Sequence, residues 1–258
     1  MEIFLQADTW IALLTLTFLE VVLGIDNIIF ISIASNKLPE NQQKKAARIG
    51  LLLAMIFRIL LLLGVSYLIS MKDSIWNIDL SWLKVGVTGQ SLILFAGGVF
   101  LLYKSTSEIH HKVEGKGDED ATNTSKKKKT LLNVITQIVL IDIVFSFDSV
   151  LTAVGMTNGI QGALIIMIIA VIVSILIMLI FATPISNFVN KHPTIQMLAL
   201  SFLILIGFML ITEGAHLSNM IVFGQSVGAI PKGYLYFAIT FSLLVEMLNM
   251  KMRGNSKK

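Results

Sequence analysis

The sequence predicts an all-α polytopic membrane protein: seven transmembrane helices, an inverted repeat of three plus three helices with an additional seventh helix. Three observations predict it. The 258-residue chain is 55% hydrophobic and only 14% charged, with a mean hydropathy of +0.81, whereas a soluble domain carries about 25% charged residues. Its apolar runs are long enough to cross a bilayer, which takes about 20 residues per helix. Finally, a phrase built on Glu20 and Asp26 returns at an offset of 122 residues, built on Asp142 and Asp148.

The spans follow in order along a single transmembrane domain, 1–258. The first covers Trp10 to Ala34; it lacks a basic n-region and contains Glu20 and Asp26, unlike a cleaved signal. The second runs from Ile49 to Ser70 and the third from Leu83 to Tyr103, closing a first three-helix repeat over 9–104. A polar stretch, 105–130, is rich in Lys, Asp and Glu and predicts a flexible cytoplasmic linker. Its histidines and acids leave a cation-sensing role open. The second repeat, 131–213, holds the fourth span (Leu131 to Gly155), the fifth (Ile160 to Thr183, stopping before Pro184) and the sixth (Ile195 to Thr212). The seventh helix occupies 232–250.

Sixteen Lys and Arg residues fall on one side of these spans and three on the other (Lys72, Lys84 and Lys232), with Arg58 inside a span. The positive-inside rule then places the N-terminus outside and the C-terminus in the cytoplasm. The formal charge of +4 and the pI near 9.2 reflect this bias rather than nucleic-acid binding. With no cysteine in the chain, disulfides, thiolate metal sites and thiol nucleophiles are excluded. No Gly-rich phosphate loop is present, which argues against an ATPase.

Carboxylates are expensive in hydrocarbon and mark function by default. In both phrases one acid precedes a second by six residues, and a small polar residue follows at once: Glu20, Asp26 and Asn27, then Asp142, Asp148 and Ser149. Because each repeat has three crossings, the second enters the membrane from the opposite side, an arrangement that puts transporter sites at the repeat interface. Glu20, Gly24 and Asn27 share one helical stripe, as do Asp142, Ser146 and Ser149. Asp26 and Asp148 project about 120° away from their upstream acids. Convergence of all four acids therefore predicts either local unwinding, at Gly24 and Ser146, or two neighbouring cavities.

Such an oxygen-rich set suits Mn²⁺, Mg²⁺ or Ca²⁺ better than thiophilic metals. Asp26 and Asp148 are read as direct ligands, with proton carriers or hydrogen-bonded structural acids as alternatives. Glu20 and Asp142 are ligands, proton acceptors or structural acids. Asn27 and Ser149 either supply an oxygen or hydrogen-bond the adjacent acid. Acids held close together would bind protons when empty and release them on cation loading. Arg58, deep in the second span, calls for pairing with one of the central acids. Glu213 and Glu246 could line a path to the site, and Glu213 could instead cap its helix at the interface. Gly86, Gly89, Gly97 and Gly98 are expected to let the acid-bearing helices approach the third helix closely. Trp76 and Trp82 are expected to be interface anchors, His192 and His216 plain loop residues, and the methionines packing residues.

The stretch Glu20-Val21-Val22-Leu23-Gly24-Ile25-Asp26-Asn27, the Asp148-Ser149 phrase and Pro231-Lys232-Gly233-Tyr234-Leu235-Tyr236-Phe237-Ala238 together resemble the TerC family of integral membrane proteins. The resemblance runs through all seven spans and is loosest in the charged linker. It implies a bacterial inner-membrane protein of the lysine exporter-like superfamily that exports manganese or a related divalent cation, its acidic motifs mapping onto Glu20, Asp26, Asn27, Asp142, Asp148 and Ser149. The family's association with tellurium resistance says little about chemistry, since tellurite is an anion and carboxylates repel it. Some relatives carry a C-terminal cytoplasmic domain; this chain is expected to be the bare membrane unit.

The expected function is secondary export of Mn²⁺ or another divalent cation, with proton exchange as a route. The alternatives are an accessory protein that supports metallation of exported proteins or a metal or tellurite stress complex, and an exporter of another solute such as a basic amino acid. No enzymatic activity and no cofactor are expected. The partners are the divalent cation and the lipid bilayer, with a homodimer left open.

Overall fold

The computed structural model describes residues 5–114, 130–157 and 159–255, with the side chains at 25, 26, 66, 254 and 255 outside the description. Seven of its helices are long and apolar enough to cross a membrane. They are α1 (Ala7–Ser35), α2 (Glu40–Leu63), α4 (Gly89–Val113), α5 (Leu131–Met156), α6 (Ala163–Lys191), α7 (Pro193–Leu217) and α8 (Lys232–Asn255). A short α3 (Val65–Ser70) continues α2 beyond Gly64. The chain is an all-α polytopic membrane protein with a small sheet added to it. That sheet is antiparallel, in the order β1 (Ser74–Asp79), β2 (Leu83–Thr88), β3 (Ile221–Val222), β4 (Gln225–Ser226).

The chain divides into two compact units, Met1–Asp73 with Ser125–Phe188 and Ser74–Thr124 with Val189–Lys258. The first contains α1, α2, α3, α5 and most of α6. Within it α2 packs closely on α5 along a buried stripe of Ala46, Gly50, Ala54, Arg58 and Leu62, each four residues from the last. The small residues allow this approach: a Cβ on Gly50 would lie 2.8 Å from Ile138 Cγ2. The same stripe turns Arg58 toward α1 and α5 rather than toward lipid. Farther along, Ser32 of α1 meets Ser186 of α6, with their hydroxyls 2.9 Å apart.

In the second unit α4 and α7 pack most closely. A Cβ on Gly98 would lie 2.6 Å from the Gly207 carbonyl oxygen and 2.7 Å from Ile211 Cγ1. The obstacle is largely backbone, which cannot turn aside. Gly98→Ala should therefore destabilise the protein by about 1–3 kcal/mol, whereas Gly155→Ala, where nothing lies within 4 Å, should be neutral or gain up to ~1 kcal/mol. Thermal unfolding of the two variants in detergent checks the contrast.

Several boundaries differ from expectation. The third span starts at Gly89, not Leu83. Thr88 forms a capping box, accepting from the Ser91 amide (3.0 Å) while Ser91 Oγ accepts from the Thr88 amide (3.0 Å). The preceding Val85-Gly86-Val87 belongs to β2, and the Gly86 amide donates to the Ser218 carbonyl at 2.9 Å. Gly86 is thus a strand residue, and Gly97 and Gly98 lie on α4, which packs against α7 within its own unit.

The same helix overruns its predicted end at Tyr103 and reaches Val113, so the first part of the expected 105–130 linker is helical. Lys104 and Glu108 pair at 3.1 Å and His110 meets Glu114 at 3.0 Å, both one turn apart. Residues 115–129 of that linker lie outside the described residues.

The fifth span does not stop before Pro184. α6 continues through it to Lys191, as a membrane helix can when neighbouring groups satisfy the backbone its proline frees. Finally, α1 and α5 are continuous helices through Gly24 and Ser146, so of the two alternatives for the four acids local unwinding is not found. A Cβ on Gly24 would run into the Met178 sulfur of α6, so this glycine serves close packing rather than a break.

Candidate functional site

Glu20 and Asp142, the upstream acids of the two phrases, converge on one guanidinium. Arg58 pairs with Glu20 through Nη1 and with Asp142 Oδ1 through Nη2 at 3.3 Å. Its Nε donates to Ser146 Oγ at 2.8 Å, and that hydroxyl in turn donates to Asp142 Oδ2 at 3.0 Å. Asn27 completes the ring, its Nδ2 donating to Asp142 Oδ1 at 3.0 Å. All five residues are buried, Arg58 at 2% and Glu20 at 5% exposure.

Local helical geometry explains the convergence. Glu20 and Asn27 lie two turns apart on one face of α1, Asp142 and Ser146 one turn apart on α5, and Arg58 on the buried stripe of α2. Asn27 reaches across to Asp142, the acid of the other phrase.

The charges do not balance. Two carboxylates face one guanidinium, so with both ionised the trio carries one surplus negative charge. Beside it, Asn27 Oδ1 is buried and finds no hydrogen-bond partner among the described residues. Exchanging that oxygen with the amide nitrogen would aim it at a carboxylate, so the orientation follows from chemistry. A desolvated acceptor beside surplus negative charge is a place for a proton, a water or a cation.

The remaining predicted residues divide. Asp148 is half-buried on α5, with its carbonyl accepting from Thr152 Oγ1 at 2.9 Å. Ser149 is buried but donates back along its own helix to the Ser146 carbonyl at 3.3 Å, not to Asp148. Asp26 lies on α1, and its side chain is outside the described residues. Among the described residues, no three His, Asp or Glu side chains gather as a metal-binding group. The expected pairing of Arg58 is found, and it engages both acids rather than one. Glu213 of α7 and Glu246 of α8 are half-buried in the other unit; Glu246 Oε2 accepts from Asn249 at 3.5 Å.

Sequence reasoning missed the role of Ser146, which it took for a weak point in the helix. Its spacing of four from Asp142 was the available signal, since a hydroxyl one turn from a carboxylate on the same face is placed to bond it. The repeat also conceals an asymmetry: the offset that aligns Glu20 with Asp142 sets the apolar Ile180 opposite Arg58. One guanidinium serves both acids.

Seven helices long and apolar enough to span a membrane, with an acid–guanidinium network buried among α1, α2 and α5, define a polytopic membrane protein that carries buried charge. The TerC integral membrane protein family profile matches residues 5–258, and the chain belongs to this family. A UPF0053 protein of Haemophilus influenzae is 42% identical over 246 residues, covering 95% of each chain. The UPF0053 inner membrane protein YoaE of Escherichia coli K12 is 41% identical over 255 residues, 99% of this chain and 45% of its own length. A UPF0053 protein of Buchnera aphidicola from Acyrthosiphon pisum is 44% identical over 258 residues, covering 46% of its own length. The chain thus spans about half the length of the Buchnera and Escherichia relatives. No solved structure matches it.

Proposed function

We propose that the protein is a secondary transporter exporting Mn²⁺ or a related divalent cation across the bacterial cytoplasmic membrane in exchange for protons. The observation that carries this reading is the buried trio of Glu20, Arg58 and Asp142, with one acid more than it has cations and an unpartnered oxygen at its side. A purely structural cluster gains nothing from surplus charge in a desolvated site. A transporter does, because the surplus attracts a cation and a proton in turn.

Arg58 alters how the ligands are assigned. It already occupies oxygens of Glu20 and Asp142, so these two acids act as the proton-binding, charge-balancing centre. Asp26 and Asp148, with Asn27 Oδ1, then act as the cation's direct ligands. Arrival of a divalent charge beside the trio expels its proton, and departure restores it. The charge asymmetry of the loops puts the N-terminus outside and the C-terminus in the cytoplasm.

Flux in proteoliposomes tests the reading. Mn²⁺, Mg²⁺, Ca²⁺ and lysine are followed with and without a pH gradient. Cation movement that a pH gradient accelerates is expected, and Asp26→Asn and Asp148→Asn should each lower it at least about tenfold, the effect of losing roughly 1.4 kcal/mol of cation stabilisation. Unchanged flux in both variants removes them as ligands. Cation binding without flux favours the accessory role, and lysine flux favours a basic-solute exporter.

A further inference from the structure

Two cavities in the first unit meet at one side chain. The outer one, of about 240 Å³, is lined by Asp8, Ala12, Thr15 and Leu16 of α1 with Met156 of α5 and Ile160. The inner one, of about 10 Å³, is lined by Leu16 and Glu20 of α1, Leu62 of α2, Val150 and Ala153 of α5, and Met167 of α6, among others. Leu16 borders both and is only 3% exposed. It lies one helical turn above Glu20, and Asp8 lies two further turns out, roughly 18 Å from Glu20 along the axis at 1.5 Å per residue.

We propose that these cavities are the two ends of a cation route from the membrane face where α1 begins to the Glu20–Arg58–Asp142 trio, with Leu16 as its gate. The inference rests on the transport reading and adds the path that serves the same site. Volumes decide what fits where. At about 30 Å³ per water the outer cavity has room for roughly eight waters, enough for a divalent ion with a full six-water shell, whereas the inner one, near the roughly 10–15 Å³ minimum that admits a single water, has room for one at most. A hydrated ion therefore stops at Leu16. It proceeds only when the leucine swings aside and the ion exchanges water for carboxylate oxygen. Asp8, exposed at the mouth, supplies the charge that concentrates cations there. On the orientation proposed above, this is the outward route.

The absence of cysteine makes the test direct. Single cysteines are placed at Thr15 in the outer cavity and at Val150 in the inner one, in the full chain reconstituted in liposomes. A membrane-impermeant cationic methanethiosulfonate is added to each face in turn, and modification is read by mass. Thr15→Cys should react from one face only, and Val150→Cys at least about a hundredfold more slowly. Adding Leu16→Ala to Val150→Cys should raise its rate at least about tenfold, from that same face. If the alanine form fails to purify as a single species, Leu16→Val replaces it, with a smaller rise expected. Asp8→Asn should lower the ratio of cationic to anionic reagent rates at Thr15→Cys about fourfold, the combined effect on two oppositely charged reagents of one unit charge roughly 10 Å away in water.

A Val150→Cys rate indifferent to a folded Leu16 variant overturns the gate, and reaction of Thr15→Cys from neither face overturns the route. An unchanged reagent ratio in Asp8→Asn overturns the role of Asp8. None of these readouts involves a transported ion. Gated labelling in a protein without flux would defeat the transport reading and leave the route standing, and flux with ungated labelling would do the reverse.

Discussion

Replacing Arg58 with Leu should destabilise the protein by about 3–5 kcal/mol, the expected effect of leaving buried carboxylates without their counter-charge. Arg58→Leu removes three polar contacts at once, to Glu20, Asp142 and Ser146, and leaves two acids facing each other. The triple variant Glu20→Gln, Arg58→Leu, Asp142→Asn should recover most of the loss, because neutral amides can hydrogen-bond where like charges repel. Arg58→Lys should fall between: it keeps the charge but cannot reach three partners with a planar fork. Thermal unfolding in detergent, followed by size-exclusion retention, ranks the four proteins. A triple variant no more stable than Arg58→Leu alone would mean that Arg58 acts through packing and not through charge.

The second large effect is functional. Glu20→Gln leaves one carboxylate against one guanidinium, a balanced pair, and should preserve or raise stability while lowering pH-driven cation flux at least about tenfold, the effect of roughly 1.4 kcal/mol. Asp142→Asn balances the charge equally, but it weakens acceptors for Arg58, Ser146 and Asn27 together. It should therefore lose stability as well as flux. Melting temperature and proteoliposome flux, measured on the same preparations, separate the two. Full flux in Glu20→Gln would show that the surplus charge is dispensable.

Much of this was legible in the residues. Length and hydropathy report spans directly, because an apolar stretch in lipid must satisfy its backbone as a helix. The helical stripe through Glu20 and Asn27, and the one through Asp142 and Ser146, correctly placed these side chains on common faces. What they met was harder to read. Arg58 stood out as a buried charge, but its capacity to hold both acids depends on α2 lying against α5, which the Ala46, Gly50, Ala54 stripe allows. A period-four run of small residues ending in arginine was the overlooked pattern.

Other misses were of local chemistry. Hydropathy counted Leu83 to Val87 into a helix, although β-branched residues beside a Gly favour a strand and Thr88 with Ser91 forms the helix start. Pro184 reads as a stop in water and not in a membrane bundle. Gly24 was read for backbone freedom when its missing Cβ makes room for Met178. The two cavities that meet at Leu16 could not be foreseen, because they arise where α1, α5 and α6 leave space between them.

The proposed transport requires a buried surplus carboxylate to be neutralised by a proton and a divalent cation in alternation. Its most direct test counts protons released when Mn²⁺ is added to the purified protein in weak buffer, against cation bound in the same titration. The wild type should release about one proton per cation, and Glu20→Gln should bind with markedly less release. Cation binding with no proton release, or equal release from Glu20→Gln, would contradict it.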